Sequence, residues 1–210
     1  MTKSTKTPSF SEDARAISAF MGERLKPLGF KKRRNGFNKR LDNGLIHQIS
    51  IFSVGAYSID HGKFYIHAGC YVAEAELYRK NVTEPKWVTD ALCTVRGVFP
   101  ENYLSLSKVA AKLSMLTPHV DNVLEALASF DSYDGITGDT NIADQLSPKR
   151  SLWFETPQPI VKARIQISRE DAVGASRTIQ QYLATKKAAE KPHLAHIKVV
   201  VEWAEEMGLL

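Results

Sequence analysis

The stretch Leu28–Val72 reads LGFKKRRNGFNKRLDNGLIHQISIFSVGAYSIDHGKFYIHAGCYV and carries most of the information about the fold. Its β-branched and aromatic residues occur in short runs, separated by turn-forming residues such as Asn35-Gly36 and Asp42-Asn43-Gly44. Asparagine and glycine accept the positive φ that tight hairpin turns require. The stretch therefore predicts four antiparallel strands, with the bounds Phe30–Arg34, Phe37–Leu41, Leu45–Val54 and Phe64–Ala73.

Alternation within the third and fourth strands predicts a sheet with two different faces. One face receives Leu45, His47, Ile49 and Ile51 from the third strand, and the other receives Ile46, Gln48, Ser50 and Phe52. The fourth strand places Phe64, Ile66, Ala68, Cys70 and Val72 on a single face. An antiparallel sheet of this kind is covered by helices on its apolar side. The predicted fold class is α+β, an antiparallel β-meander packed by helices.

Helical patterns flank the meander on both sides. A capping box at Ser9–Glu12 begins an amphipathic helix that ends near Pro27 and Gly29. Further helices are predicted from Thr83 to about Cys93 and at Leu104–Leu116, Val120–Phe130, Arg169–Ala189 and Pro192–Met207. The last two predict a C-terminal helical hairpin.

The remaining segments complete a predicted domain plan. The run at Ser151–Glu155 predicts an edge strand or a docking segment, and the polar run from Ser132 to Lys149 predicts a mobile loop. Residues 1–8 are expected to form a disordered tail. Residues 9–160 are predicted to form the α+β domain, and residues 161–210 a helical extension packed on the same domain.

Positive charge is concentrated in the predicted first hairpin. Seven cations and no carboxylate lie between Lys26 and Arg40, whereas the rest of the chain has 21 cations and 23 anions. The hairpin itself, residues 30–41, carries Lys31, Lys32, Arg33, Arg34, Lys39 and Arg40. Such asymmetry favours association with an acidic surface. Charged residues also protect an edge hairpin from aggregation, so this structural role is an equal alternative.

Composition points to a reduced, cytoplasmic protein that does not enter a membrane. Two cysteines, Cys70 and Cys93, make no disulfide framework in a chain of 210 residues. The N-terminal segment has no apolar core of signal-peptide length, and no run approaches the length of a membrane span.

No catalytic signature is evident, and the sequence predicts no cofactor, no metal site and no catalytic residue. The phosphate-binding, dinucleotide-binding and nucleophile-elbow motifs are all missing from the chain. A polar site is a weaker hypothesis: His47 and His67 lie on strands that are expected to pair, and Asp60-His61 lies in the loop between them. Alternation places Cys70 on the face opposite His67, which argues against a shared metal.

Several short motifs resemble a bacterial family known as domain of unknown function 4304. They are Leu28-Gly29-Phe30, Gln48-Ile49-Ser50-Ile51-Phe52, His67-Ala68-Gly69, Cys93–Gly97 and Leu152–Glu155. The resemblance covers roughly residues 10–160. It implies the α+β fold and an intracellular bacterial origin, but it brings no established activity and no catalytic residue.

Three functions remain open from the sequence. The first is a non-enzymatic module that binds a protein with an acidic surface, either as an adaptor or as an immunity-type protein that neutralises a toxin. The second is RNA binding through the basic hairpin, whose Phe30 and Phe37 could stack on bases. The third is a hydrolase with a site around His47 and His67.

Overall fold

A computed structural model of the chain describes residues 10–53, 62–77, 83–138, 152–154, 156–187 and 194–210. The predicted tail, the capping serine Ser9, the pair Asp60-His61 and most of the predicted mobile loop lie outside the described residues. Among the residues described, no helix combines the length and the apolar character needed to cross a membrane.

The sheet is an antiparallel meander, as the sequence predicts. Its six strands are β1 (Lys31–Arg33), β2 (Gly36–Arg40), β3 (Ile46–Ser53), β4 (Lys63–Tyr71), β5 (Val95–Ser105) and β6 (Leu152–Phe154). Each strand pairs with the next one in the chain, so the spatial order is the sequence order. Strand β6 lies at the edge, as one of the two interpretations of Ser151–Glu155 expects.

Three local predictions are wrong. The segment predicted as a mobile loop from Ser132 to Lys149 begins with a short helix at Tyr133–Thr137. Arg33 pairs with Gly36, so the hairpin turn consists of Arg34 and Asn35, and Arg34 takes the positive φ of 56°. The helix expected from Thr83 to Cys93 is absent from this described segment, which has only a single 3-10 turn at Asp90–Leu92. The segment instead packs on the sheet, and burial against β3 and β4 overrides its helical capping pattern.

Eight α-helices lie in the described ranges. They are α1 (Phe10–Leu25), α2 (Ala73–Glu76), α3 (Leu106–Ala111), α4 (Thr117–Ala128), α5 (Tyr133–Thr137), α6 (Gln158–Ser168), α7 (Ala172–Lys187) and α8 (Leu194–Glu206). Helix α1 ends through a 3-10 turn at Lys26–Leu28, where Gly29 adopts a φ of 88° that a residue with a side chain rarely takes. The sequence pattern predicts neither helix α6 nor strand β5.

One face of the sheet carries the main core. Phe37, Ile49 and Ile66 are buried there against apolar residues of α1, α3, α4 and α6. A second cluster joins α6 to the C-terminal hairpin of α7 and α8, through residues that include Ala163, Ile179 and Trp203. Helix α6 supplies side chains to both clusters, because its residues Val161 and Ile165 belong to the first. The division predicted at residue 160 stays a prediction.

Gly69 permits an unusually close approach on the opposite face of the sheet. A Cβ at this position would lie 2.5 Å from the carbonyl oxygen of Val95 and 2.8 Å from Cβ of Cys93. Real Cβ atoms do not reach such distances, and a backbone carbonyl cannot move away as a flexible side chain can. The absence of a side chain at Gly69 therefore lets residues 93–95 run directly against β4.

We expect Gly69→Ala to destabilise the protein by about 1–3 kcal/mol, because the added methyl group overpacks a site bounded by backbone. Gly22→Ala is the matched control, since its Cβ would make only ordinary contacts of 3.5 Å or more inside α1. Alanine is the better helix former by about 0.5–1 kcal/mol, so this variant should be neutral or stabilised. Urea unfolding of both variants measures the difference, and equal stabilities would contradict the interpretation.

Candidate ligand-binding site

The second face of the sheet is only partly covered. Ile46 and Tyr71 are buried there beneath Val88 and Cys93, which belong to the segment that follows residue 83. This covering segment, residues 84–93, closes one end of β3 and β4. Towards the other end of these strands Phe52 stays 52% exposed, so an open surface begins where the covering segment ends.

Three aromatic rings stack on this open surface. The ring centroids of Phe52 and Tyr65 are 5.1 Å apart, and those of Tyr65 and His67 are 4.7 Å apart. Phe52 and His67 are also stacked, at 5.5 Å and an interplanar angle of 14°. The register explains the stack, because Phe52 pairs with Tyr65 across β3 and β4, and His67 follows two residues later on the same face.

A contact with Asp90 fixes the inner end of the stack. Nδ1 of His67 lies 2.5 Å from Oδ2 of Asp90, and Nη1 of Arg96 lies 3.7 Å from the same oxygen. Oδ1 of Asp90 and Nε2 of His67 are buried and have no hydrogen-bond partner in the part of the chain that the structure describes. Oδ2 of Asp90 is therefore paired within the protein, whereas Oδ1 has no partner among the described residues.

A cleft of about 550 Å³ lies between the hairpin turn, β3 and the covering segment. Its walls include Phe52 and Trp87, whereas Gln48 and Asp90 contribute polar groups. The side chain of Gln48 is only 1% exposed, and its Oε1 has no partner among the described residues. Buried polar atoms are rarely left without a partner, so an unpaired acceptor in a cleft of this size is typical of a ligand site.

The basic hairpin divides into cations that contact other residues of the fold and cations that make no hydrogen bond or ion pair to the described residues. Nζ of Lys32 donates to the backbone oxygen of Ser18 at 2.9 Å, and Nζ of Lys39 lies 6.0 Å from the ring centroid of Phe30. Arg40 forms a salt bridge with Glu84. These three cations therefore act within the fold.

The other three cations face solvent. Lys31, Arg33 and Arg34 are exposed and make no hydrogen bond or ion pair to the described residues. Arg33 and Arg34 also line the cleft, next to the stacked rings. The hairpin thus brings positive charge to the rim of an aromatic, polar cleft.

His47 and His67 are not neighbours, which corrects one expectation from the sequence. Their strands pair, but His47 lies opposite Cys70 and His67 lies opposite Ser50, so the two imidazoles project from opposite faces of the sheet. His47 is buried on the core side, where its Nε2 lies 3.2 Å from the carbonyl oxygen of Phe130. The structure therefore does not bring His47 and His67 together, and Asp60 and His61 of the same hypothesis lie outside the described residues.

Neither reactive cysteines nor a group of metal ligands is found among the described residues. Cys70 and Cys93 are both buried, and burial raises the pKa of each thiol above its ordinary value. Such thiols are poor nucleophiles, because the thiolate is the reactive form. Within the described ranges no group of three His, Cys, Asp or Glu side chains is placed to hold a metal ion.

Several residues of the cleft lie where the sequence pattern gives no indication of a site. The pattern places Asp90 and Trp87 in a helix, and it predicts no strand at Arg96. The pattern does place Gln48 and Phe52 on the correct face, opposite His47. This placement is the feature of the sequence that could have indicated the site. Polar residues such as Gln48 and Ser50 on the face opposite Ile49 and Ile51 indicate a face that is not simply core.

Burial of His47 predicts a loss of stability in mild acid. Desolvation lowers the pKa of His47 below 6.5, although the Phe130 carbonyl and Asp131 favour its protonated form and Lys39 opposes it. Below pH 6.5 the unfolded chain therefore binds a proton that the folded chain resists, and the free energy of unfolding falls as the pH falls towards the folded-state pKa. The slope from this one group is at most about 1.4 kcal/mol per pH unit.

Urea unfolding between about pH 5.5 and 7.5 measures this loss of stability. The range extends about 1 pH unit on either side of the pKa of histidine in the unfolded chain. His47→Gln keeps a donor for the Phe130 carbonyl and should flatten the dependence. His119→Gln is the control, because His119 also has a lowered pKa but is less buried. Equal slopes for wild type and His47→Gln would contradict the prediction.

Comparison with known proteins identifies a family. The family model described as domain of unknown function (DUF4304) matches residues 21–126, just over half of the chain. This range contains β1–β5, the aromatic stack, the cleft and the exposed arginines. Searches of curated proteins and of solved structures gave no match. The resemblance noted from the motifs is therefore confirmed, and the chain belongs to the DUF4304 family.

Proposed function

We propose that the protein binds single-stranded nucleic acid across the open face of its sheet. The observation that carries the proposal is the position of Arg33 and Arg34, at the rim of a cleft whose wall includes the outermost ring of the stack, Phe52. Single-stranded nucleic acid presents alternating bases and phosphates, which require aromatic rings and cations close together.

The aromatic stack supports base binding. Phe52 is half exposed, and the partners of its ring, Tyr65 and His67, hold it in a fixed position. A base that stacks on a fixed ring loses less conformational entropy than one that must order a mobile side chain. Stacking of this kind is worth about 1–3 kcal/mol per base and tolerates any base.

The exposed cations support phosphate binding. Arg33 and Lys31 project from the same face of β1, since they pair with Gly36 and Asn38 of β2. Arg34 extends from the hairpin turn beside them. These three make no ion pair with the described residues, so within that part of the chain no salt bridge competes with a phosphate.

A protein partner with an acidic surface is the competing interpretation. It uses the same cations, as an adaptor or an immunity-type protein would, but it does not require the aromatic rings beside them. The dependence of binding on Phe52 therefore separates the two classes of partner.

Substitutions at the rim and in the stack should each weaken RNA binding. Arg33→Glu with Arg34→Glu should flatten the slope of log affinity against log salt by about 0.7 for each phosphate that is no longer neutralised. Phe52→Leu should lower the affinity by about 1–3 kcal/mol, whereas Phe52→Tyr should retain it because the ring is kept. Fluorescence anisotropy with labelled single-stranded RNA at several salt concentrations measures both effects.

Two comparisons make this experiment decisive. Lys108→Glu with Lys112→Glu changes the net charge equally at exposed positions outside the cleft, and it should leave the affinity almost unchanged. RNA binding that depends on salt but is unchanged in Phe52→Leu would be electrostatic attraction without base stacking, and it would overturn the proposal. Failure of the wild type to bind RNA would overturn it as well.

A further inference from the structure

We propose that the cleft holds one nucleobase and prefers guanine, because two of the residues that line it, Gln48 and Asp90, each carry a buried hydrogen-bond acceptor without a partner among the described residues. This inference rests on the proposed function and adds base selectivity to it. The two atoms are Oε1 of Gln48 and Oδ1 of Asp90, both buried and both without a partner among the described residues.

The geometry around Asp90 fixes which of its oxygens is available. His67 and Arg96 both approach Oδ2, at 2.5 Å and 3.7 Å, so that oxygen is already used. The imidazole of His67 is in turn held by its stacking on Tyr65. Oδ1 is thus the available oxygen of a positioned carboxylate, and an ionised carboxylate only accepts hydrogen bonds.

Gln48 is held equally firmly. It occupies the middle of β3, paired with Asn38 on one side and Gly69 on the other, and its side chain is almost fully buried. An amide oxygen in such a position can be satisfied by a donor that the ligand brings, which strengthens binding of a ligand that has one. Gln48 and Asp90 therefore each provide one acceptor, and a ligand with two donors could satisfy both.

Guanine satisfies this requirement best among the bases. Its Watson–Crick edge has two adjacent donors, the N1 hydrogen and the N2 amino group, which match an acceptor-lined site. Adenine and cytosine each have one amino group beside a ring acceptor. Uracil has one N–H between two carbonyl oxygens, which would face Gln48 and Asp90 unfavourably.

The walls of the cleft suit a planar base. Trp87 lies close to Gly36, where a Cβ would come within 3.7 Å of the indole Nε1, and Phe52 belongs to the same cleft. Residues 33–36 place both arginines next to these rings, where the phosphates of the same strand would pass. The volume of about 550 Å³ lies within the range of sites that bind small ligands.

Selectivity is tested with oligouridines of about nine residues that carry one central guanine, adenine, cytosine or inosine, a length within the usual site size of a small single-strand binding fold. The guanine oligomer should bind at least about fivefold more tightly than the all-uridine oligomer. Inosine lacks the N2 amino group and should lose most of the advantage. Quenching of Trp87 emission by the guanine oligomer, absent in Trp87→Phe, would locate the base in the cleft.

Two near-isosteric variants test the acceptors themselves. Gln48→Met removes the acceptor at similar volume, and Asp90→Asn replaces the carboxylate by an amide that also donates. Both should reduce the guanine preference, measured within each variant as the ratio of the affinities for the guanine and all-uridine oligomers, to less than about twofold. Circular dichroism confirms that each variant remains folded.

The outcomes separate this inference from the proposed function. Equal binding of all oligomers, with Phe52 and the arginines still required, would overturn base selectivity and leave nucleic-acid binding standing. A guanine preference that survives both Gln48→Met and Asp90→Asn would also overturn it. A wild type that binds none of the oligomers would overturn the proposed function instead.

Discussion

The second face of the sheet takes its form from the close approach at Gly69. Val95 and Cys93 run against β4 at a distance that only glycine allows, and this brings the preceding residues back over β3 and β4. Asp90 and Trp87 reach the sheet on that segment. The absence of a side chain at Gly69 therefore helps to form the cleft, because Trp87 and Asp90 of the covering segment line it.

The two faces of the sheet differ in what covers them. The core face is filled by apolar residues of six helices and contains His47, which is buried, hydrogen-bonded and biased towards its neutral form. The opposite face has a small apolar patch, then the contact between His67 and Asp90, and finally the stacked rings, of which Phe52 is exposed. Because alternate residues of one strand serve the two faces, substitutions at Gln48 or Phe52 need not disturb the main core.

The cations of the hairpin fall into two groups according to what they contact. Lys32, Lys39 and Arg40 hold the hairpin against α1, its own aromatic residues and the covering segment, respectively. Lys31, Arg33 and Arg34 point into solvent, and the two arginines do so at the rim of the cleft. The edge strand therefore carries charges that protect it from aggregation and can also meet an anionic ligand.

Local periodicity and turn chemistry are enough to predict the meander, the alternation of its faces and the C-terminal helical pair. They fail for residues 84–93, which abandon their helical pattern because burial against Ile46 and Tyr71 outweighs capping preferences. They also leave open which cations of the hairpin are exposed and which polar atoms lack partners. Those properties arise from contacts between residues far apart in the chain, such as His67 with Asp90 and Arg40 with Glu84, and no local pattern encodes them.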